Sequence, residues 1–329
     1  MRKPILLSGI QPTGKLHIGN YVGALSNFVK LQNSGKYECI FFIVDLHSLT
    51  QEFEPKEKRK HILDLVADYL AAGIEPKQSI VALQSQIPAH SELTWILSTI
   101  TPIGELERMT QFKDKSARQE ENINVGLFTY PILMAADIIL YDAAFVPVGE
   151  DQLQHLELTR TLVRKFNSKF GKTFVEPKPI LTQFPRVMSL SDPMHKMSKS
   201  EPAGCIFLDD SPAEIEAKVK RAVTDSGSEI AFDEAKKPAI SNLLQLYSAV
   251  AEKPIPLIEE QYKRKTYSEF KAKLAALIAE HLAPFRAKKE KLQAQASKLT
   301  TVLTSGSKKA AKRAEKKLTE VKEKLGISL

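Results

Sequence analysis

Four short, strongly apolar segments limit the folds that this chain can adopt. Each is typical of a buried strand, and they span residues 4–9, 39–45, 79–84 and 144–148. Helical patterns lie between them, for example HILDLVADYLAA, which ends at Gly73. Strands that alternate with helices form a parallel sheet covered on both faces. We therefore expect an α/β, Rossmann-like catalytic domain over residues 1–205.

After residue 205 the strand patterns stop and only helical patterns remain. Helices are predicted to begin at Pro212, Pro238 and Pro256, and a longer run near Tyr267 is interrupted by Pro284. Apolar residues continue at helical spacing beyond a turn predicted at the sequence SGS, residues 305–307. Residues 206–329 are therefore expected to form an all-helical domain.

The net charge of +8 is concentrated at the end of the chain. Residues 286–329 contain 13 Lys and Arg against 4 Asp and Glu, whereas residues 1–205 contain 23 against 22. A basic segment of this density suits a polyanion such as nucleic acid, but it is equally typical of a solvated helix face. Charge alone leaves both interpretations open.

The sequence lacks the patterns of membrane-spanning, disulfide-bonded and zinc-binding proteins. No stretch approaches the roughly 18 apolar residues of a membrane span, and the N-terminal apolar run is too short for a signal peptide. Cys39 and Cys205 lie far apart without metal-ligand spacing, so two buried thiols are expected. We expect a cytoplasmic globular protein with no membrane partner and no metal-ligating residues.

A turn-rich segment, SGIQPTGKLHIGN, follows the first predicted strand. A turn from a strand into a helix directs backbone N–H groups and the helix dipole at one point, which suits a phosphate. Neither GxGxxG nor GxxxxGK[ST] is present, which disfavours dinucleotide-binding and P-loop proteins. The segment does contain HIGN at residues 17–20, and KMSKS occurs at residues 196–200.

Together, HIGN and KMSKS resemble the HIGH and KMSKS signatures of class I aminoacyl-tRNA synthetases. Three further segments, GELERMTQFK, YPILMAAD and VPVGEDQ, are similar to the bacterial-type tryptophanyl-tRNA synthetase family. The resemblance extends over residues 8–200 and continues less distinctively to residue 244. The sequence departs from HIGH at Asn20, a residue frequent there in the tryptophan branch, and this removes one potential cation.

The two motifs fit a reaction that releases pyrophosphate from ATP. When a carboxylate attacks the α-phosphorus, negative charge develops on the oxygen that bridges to the β-phosphate, and cations placed there lower the barrier. Lys196 and Lys199 are predicted to supply these cations from a polar loop that closes over the triphosphate, while His17 and Asn20 donate hydrogen bonds. The alternative is that His17 caps a helix and KMSKS is an exposed basic turn.

Further ATP contacts are implied by the resemblance. Gly19 has no side chain, so adenine can approach the helix. Asp151 follows a predicted strand end, where its carboxylate can accept hydrogen bonds from ribose hydroxyls. Lys113 and Lys115 are candidates for contacts with the triphosphate and equally for surface lysines. The other predicted ATP-binding residues are Gln11, Pro12, Thr13, Gly149, Glu150, Val187, Met197, Ser198 and Ser200.

One carboxylate suggests the amino-acid substrate. Indole has a single polar atom, an N–H donor, so its pocket needs one acceptor in an apolar wall. Asp137 can supply it, although its spacing alone favours an ion pair with a lysine or a cap of a neighbouring turn. The resemblance favours the acceptor, and it implies that Met134 and Val148 line the indole pocket with Tyr130 and Gln152 near the α-amino group.

Four further residues have interpretations as purely structural residues. For Asp45 and His47, at a predicted strand end, a structural hydrogen bond is as well supported as substrate contact. His90 is expected to cap or begin a helix, and Trp95 to belong to a core face. None of these four residues is predicted as a site residue.

The resemblance implies activation of L-tryptophan by ATP with Mg²⁺, and transfer of tryptophan to tRNA(Trp). It further implies a homodimer in which the helical C-terminal region binds the anticodon arm. A tyrosine-specific class I synthetase and a small-molecule nucleotidyltransferase are the alternative enzymes. A non-catalytic RNA-binding relative is the third alternative, but the residues of the first loop and the lysine loop are intact.

Overall fold

The structure, a computed structural model, describes residues 3–111, 124–181 and 186–328. A parallel sheet of five strands, in the order β3-β2-β1-β4-β5, lies at its centre. The strands are β1 (Ile5–Ile10), β2 (Glu38–Ile43), β3 (Ile80–Leu83), β4 (Phe145–Val148) and β5 (Lys178–Leu181). The predicted α/β, Rossmann-like sheet is confirmed. Lys113 and Lys115 lie outside the described residues.

Helices cover both faces of the sheet. Helix α1 comprises a short turn (Ile18–Asn20), a π-helical segment (Tyr21–Leu25) and a final α-helical part (Ser26–Asn33). The other helices of this part are α2 (Pro55–Ala72), α3 (Ala89–Ser98), α4 (Ile103–Glu107), α5 (Val125–Ile139) and α6 (Leu153–Phe170).

Side chains of the inner strands alternate between two hydrophobic cores. In β2, Phe41 belongs to the core beneath α1 and α2, whereas Ile40 and Phe42 belong to the core beneath α3, α5 and α6. Because successive residues of a strand point to opposite faces, a strand buried on both sides must be apolar throughout. This explains why β2 was evident from the sequence as an uninterrupted apolar run.

The edge strand β5 was not predicted. It has only four residues, one of them Pro179, and three of the four are exposed. Edge strands tolerate proline because one side of the strand has no partner. Such a segment carries no alternating or continuous apolar pattern.

The part of the chain after residue 205 is helical, as expected. Its helices are α7 (Pro212–Arg221), α8 (Pro238–Ala251), α9 (Ile255–Tyr262), α10 (Tyr267–Gln293) and α11 (Ala296–Leu325). Ser211 and Thr266 each form a capping box, with Glu214 and Glu269 respectively. These caps define the first residues of α7 and α10.

The predicted interruption at Pro284 is wrong, because this proline lies inside α10. Proline removes one backbone donor from a helix and disturbs the turn before it. Here the Arg286 guanidinium donates a hydrogen bond of 2.9 Å to the carbonyl of Ala279, in that preceding turn. The helix continues through Pro284 to Gln293.

The predicted turn at residues 305–307 is also wrong, because all three residues lie within α11. This helix packs directly on β3. A Cβ atom on Gly306 would lie 1.8 Å from the carbonyl oxygen of Val81. The last helix therefore lies against the α/β part. The division of the chain into two domains between residues 205 and 206 stays a prediction.

Three single-residue expectations have clear outcomes. Cys39 and Cys205 are both buried free thiols, as predicted. Trp95 was expected on a core face, but 73% of it is exposed, so this prediction is wrong. Among the described helices, none combines the length and apolar character needed to cross a bilayer.

Candidate active site

A cavity of about 340 Å³ opens where the strand order reverses. From β1 the chain continues to β2 on one side of the sheet, whereas β4 pairs with β1 on the other. The loops after β1 and β4 therefore diverge and leave a crevice, the usual ligand site of doubly wound sheets. We call this the switch-point cavity; its lining includes Gly9, Gln11, His47, Tyr130, Met134, Asp137, Val148, Gly149 and Gln152.

The structure brings together all five residues that were predicted to bind tryptophan. Tyr130, Met134 and Asp137 come from α5, whereas Val148 and Gln152 come from the end of β4 and the turn that follows. The Tyr130 hydroxyl forms a hydrogen bond of 2.8 Å with His155 Nε2. Among the described residues that line the cavity, Asp137 is the one with an acidic side chain.

Asp137 is buried, with only 4% of its surface exposed, and three side chains surround its carboxylate. His47 Nε2 lies 2.7 Å from Oδ2, His90 Nδ1 lies 2.5 Å from Oδ1, and Gln84 Nε2 lies 2.8 and 2.9 Å from the two oxygens. Burial by itself raises the pKa of Asp137, but the charge and hydrogen bonds of His90 and His47 outweigh it and lower that pKa to about 2. The group is an ionised acceptor at neutral pH.

His17 and Asn20 form a capping box at the start of α1. His17 Nδ1 accepts a hydrogen bond of 3.3 Å from the Asn20 backbone N–H, and Asn20 Oδ1 accepts one of 3.2 Å from the His17 N–H. Burial, followed by the charges of Lys199 and Lys196, lowers the pKa of His17 to about 4. The imidazole is thus neutral, and its hydrogen is on Nε2, which can donate to a phosphate. Capping and phosphate binding are compatible.

The KMSKS segment lies beside the first loop. Lys199 Nζ donates hydrogen bonds of 3.2 Å to Thr13 Oγ1 and to the carbonyl of Gly14. Burial lowers the pKa of Lys199 to about 8. Lys196 is exposed. Since Gln11, two residues before Thr13, lines the switch-point cavity, one loop touches both the cavity and the lysine segment.

Two backbone connections hold this arrangement. The N–H of Ile18 donates to the carbonyl of Ile206 at 2.9 Å, and the N–H of Met197 donates to the carbonyl of Val187 at 3.0 Å. A Cβ atom on Gly19 would lie 3.4 Å from Val187 Cβ. Two predicted ATP contacts, Gly19 and Val187, are therefore neighbours.

The remaining predicted ATP contacts differ in exposure. Pro12 and Met197 are buried, whereas Glu150 and Ser200 are exposed, and the hydroxyl groups of Ser198 and Ser200 lie 2.8 Å apart. Asp151 Oδ2 accepts a hydrogen bond of 3.1 Å from Gln152 Nε2. A Cβ atom on Gly149 would lie 2.7 Å from Asp151 Oδ1, so the strand end and this carboxylate are closely packed.

Comparisons with known proteins agree with this geometry. The family model described as tRNA synthetases class I (W and Y) matches residues 1–283. The chain belongs to this family. It is 46% identical to the tryptophan–tRNA ligase of Caldanaerobacter subterraneus over 327 residues, which cover 98% of each protein. The family predicted from the two motifs is thus confirmed.

Two solved structures of the family resemble the whole chain. The tryptophanyl-tRNA synthetase of Mycoplasma pneumoniae is 34% identical with a TM-score of 0.89, covering 99% of this chain and 98% of its own. That of Campylobacter jejuni, complexed with ADP and tryptophan, is 34% identical with a TM-score of 0.83, covering 99% and 100%. The family fold therefore includes the helical C-terminal part.

Sequence reasoning missed three neighbours of Asp137. His47 had been left open between a structural and a substrate contact, and it lines the cavity. Gln84 and His90 were not selected, although both are buried against the carboxylate. The only indication in the sequence was position, since Gln84 is the last residue of a predicted strand. Asp45 Oδ1 accepts from the Ser85 N–H at 3.0 Å, which is a structural hydrogen bond.

Proposed function

We propose that this chain is a tryptophan–tRNA ligase, which joins L-tryptophan to tRNA(Trp) through tryptophanyl-adenylate. The observation that carries this function is an ionised, buried acceptor, Asp137, in a largely apolar cavity at the switch point of the sheet. Indole has one polar atom, an N–H donor, so its pocket needs one such acceptor and no other polar group. The relatives that match the full chain carry this activity in their names.

In the first step, an oxygen of the tryptophan carboxylate bonds to the α-phosphorus of ATP, and the bond to the β-phosphate bridge breaks. Pyrophosphate leaves with the negative charge. We propose that Lys199 and Lys196 balance this charge and that His17 Nε2 donates a hydrogen bond to it. No side-chain nucleophile is required, because the substrate carboxylate attacks directly.

Mg²⁺ is proposed to accompany ATP, bound by phosphate oxygens. Among the described residues, no cluster of three or more His, Cys, Asp or Glu side chains is placed to hold a metal ion. When bound, the ion neutralises charge on the phosphates. In the second step, a ribose hydroxyl of the terminal adenosine of tRNA attacks the activated carbonyl, and AMP leaves.

We infer that the helical part after residue 205 binds tRNA, with the basic end of the chain contacting phosphates. Not all of its cations are available, because Lys289, Arg313, Lys317 and Lys322 form ion pairs. Others are exposed on α11 and form no ion pair with a described residue; these are Lys308, Lys309, Lys312 and Lys316. We also propose that the protein is a cytoplasmic homodimer, and this part of the proposal rests on the family alone.

The function is tested by measuring ATP–pyrophosphate exchange with each of the twenty amino acids. We expect exchange with tryptophan and none, or far weaker exchange, with the others. Preference for tyrosine would indicate the tyrosine-specific alternative, and exchange without any amino acid would indicate a nucleotidyltransferase. Absence of exchange with every amino acid would favour a non-catalytic RNA-binding protein.

A further inference from the structure

We propose that His90 and Gln84 are positioning residues for amino-acid selection, which hold the Asp137 carboxylate in the orientation that accepts the indole N–H. The inference rests on the proposed function, because it assigns Asp137 to the tryptophan ring. It extends that function to two side chains behind the cavity wall.

The positions of the donors divide them into two groups. His47 lines the switch-point cavity and bonds to Oδ2 of Asp137. Gln84 and His90 are fully buried, and neither belongs to the described lining of the cavity. A ligand in the cavity can therefore meet His47 and Asp137, while Gln84 and His90 hold the carboxylate from behind.

The direction of each hydrogen bond follows from the ionised state of Asp137. A carboxylate only accepts, so His90 Nδ1 must carry a hydrogen and donate it to Oδ1. The other ring nitrogen, Nε2, lies 2.8 Å from the Tyr141 hydroxyl. Burial raises the pKa of Tyr141, so this hydroxyl stays protonated as a partner for the ring. Both nitrogens of His90 are thereby satisfied in one orientation.

The orientation of the Gln84 amide is fixed in the same way. Its Oε1 accepts a hydrogen bond of 3.1 Å from the backbone N–H of Leu46. The amide nitrogen must then face Asp137, where it lies 2.8 and 2.9 Å from the two oxygens. Because Leu46 precedes His47, this one amide fixes both the orientation of the Asp137 carboxylate and the position of the turn that carries His47.

Aromatic packing holds the imidazole ring of His90. The Phe42 ring meets it edge to face, with centroids 5.2 Å apart and an interplanar angle of 81°. Loss of the His90 donor would leave the Gln84 amide as the remaining described donor to Oδ1 and weaken the preference for the charged carboxylate. A protonated or rotated Asp137 is a poorer acceptor, so the cavity would distinguish less between rings with and without an N–H donor.

The experiment compares tryptophan with β-(3-benzothienyl)alanine, in which sulfur replaces the indole N–H and the ring shape is kept. Pyrophosphate exchange is measured for the wild type, His90→Leu and His90→Asn, whose side-chain amide can place a donor near the original Nδ1. For His90→Leu we expect the kcat/KM ratio of tryptophan to the analogue to fall by roughly tenfold or more, with KM for ATP unchanged. His90→Asn is expected to recover most of the ratio.

Tyr141→Phe provides a second variant if His90→Leu does not fold. It leaves His90 in place and removes the partner of Nε2, so a smaller fall of the same ratio is expected. Equal losses of activity on both substrates, which leave the ratio unchanged, would overturn the inference, since a purely structural role has that effect. Wild-type protein without tryptophan-dependent exchange would instead overturn the proposed function, and the inference with it.

Discussion

The Ser307 hydroxyl accepts a hydrogen bond of 3.0 Å from the backbone N–H of Leu83, 224 positions earlier in the chain. Leu83 is the last residue of β3, a strand at the edge of the sheet. Without Ser307, its N–H would be an unpaired donor on the open side of that strand. The neighbouring Gly306 lets α11 come close enough for this contact, since its ideal Cβ position lies 1.8 Å from the Val81 carbonyl oxygen. The last helix thus protects the edge of the sheet.

We expect Gly306→Ala to destabilise the protein by about 1–3 kcal/mol, because the added methyl group forces α11 away from β3. Helix propensity alone predicts the opposite, a gain of about 0.5–1 kcal/mol. Urea unfolding gives the free energy, and Ser305→Ala, at an exposed position one residue earlier, serves as the control. A more stable Gly306→Ala protein would contradict the close packing of α11 on β3.

These contacts explain why α11 was only partly predictable. Its apolar residues occur at helical spacing, but serine and glycine favour turns when only local sequence is considered. At residues 305–307 a contact with β3, more than 200 residues away, overrides that preference. Tertiary packing of this kind leaves no local pattern.

The candidate site was predictable to a similar degree. The two motifs and the segment around Asp137 indicated residues that the fold does bring to one edge of the sheet. His90 lies 47 positions from Asp137, and the sequence at that point predicts only the start of a helix. The side chains behind a binding carboxylate depend on how α3 and α5 pack, which spacing does not reveal.

Lys199→Ala is expected to slow tryptophan-dependent pyrophosphate exchange by roughly 10²–10³-fold, the usual effect of removing one group that stabilises transition-state charge. Lys196→Ala should act in the same direction. Lys56→Ala removes an exposed lysine from α2 and should leave the rate unchanged. Wild-type rates in the Lys199 and Lys196 variants, with a native circular dichroism spectrum, would refute the assigned role.

The pH dependence of ATP use should reflect Lys199. Burial lowers its pKa to about 8, so the ammonium group is charged below pH 8 and loses its proton as the pH rises further. Since kcat/KM reports groups of the free enzyme, kcat/KM for ATP should fall above about pH 8. In Lys199→Arg, whatever its absolute rate, this fall should be absent because guanidinium stays protonated. The same alkaline fall in that variant would exclude Lys199 as its cause.

An ion triad, in which Lys289 and Asp68 are buried, connects α10 with the α/β part. Lys289 Nζ lies 2.6 Å from Asp68 Oδ1 and 2.8 Å from Asp209 Oδ1. Burial raises the pKa of Asp68 to about 6 in spite of Lys289. Lys289→Met leaves both carboxylates without their cation and should destabilise the protein by about 3–5 kcal/mol in urea unfolding at pH 7.5. Lys288→Met, at an exposed neighbour, should change stability little, and equal effects of the two variants would contradict this account.

Binding of tRNA should depend on exposed lysines of α11 and not on those that hold the helix in place. Lys309 and Lys312 border one surface groove, and neither forms an ion pair within the described residues. Each phosphate contact that is lost should reduce the slope of log affinity against log salt by about one, so Lys309→Gln/Lys312→Gln should make it shallower by about two. Fluorescence anisotropy with tRNA(Trp) at several salt concentrations gives this slope. A Lys56→Gln control should keep the wild-type slope. An unchanged slope in the double variant would show that Lys309 and Lys312 do not contact the tRNA phosphates.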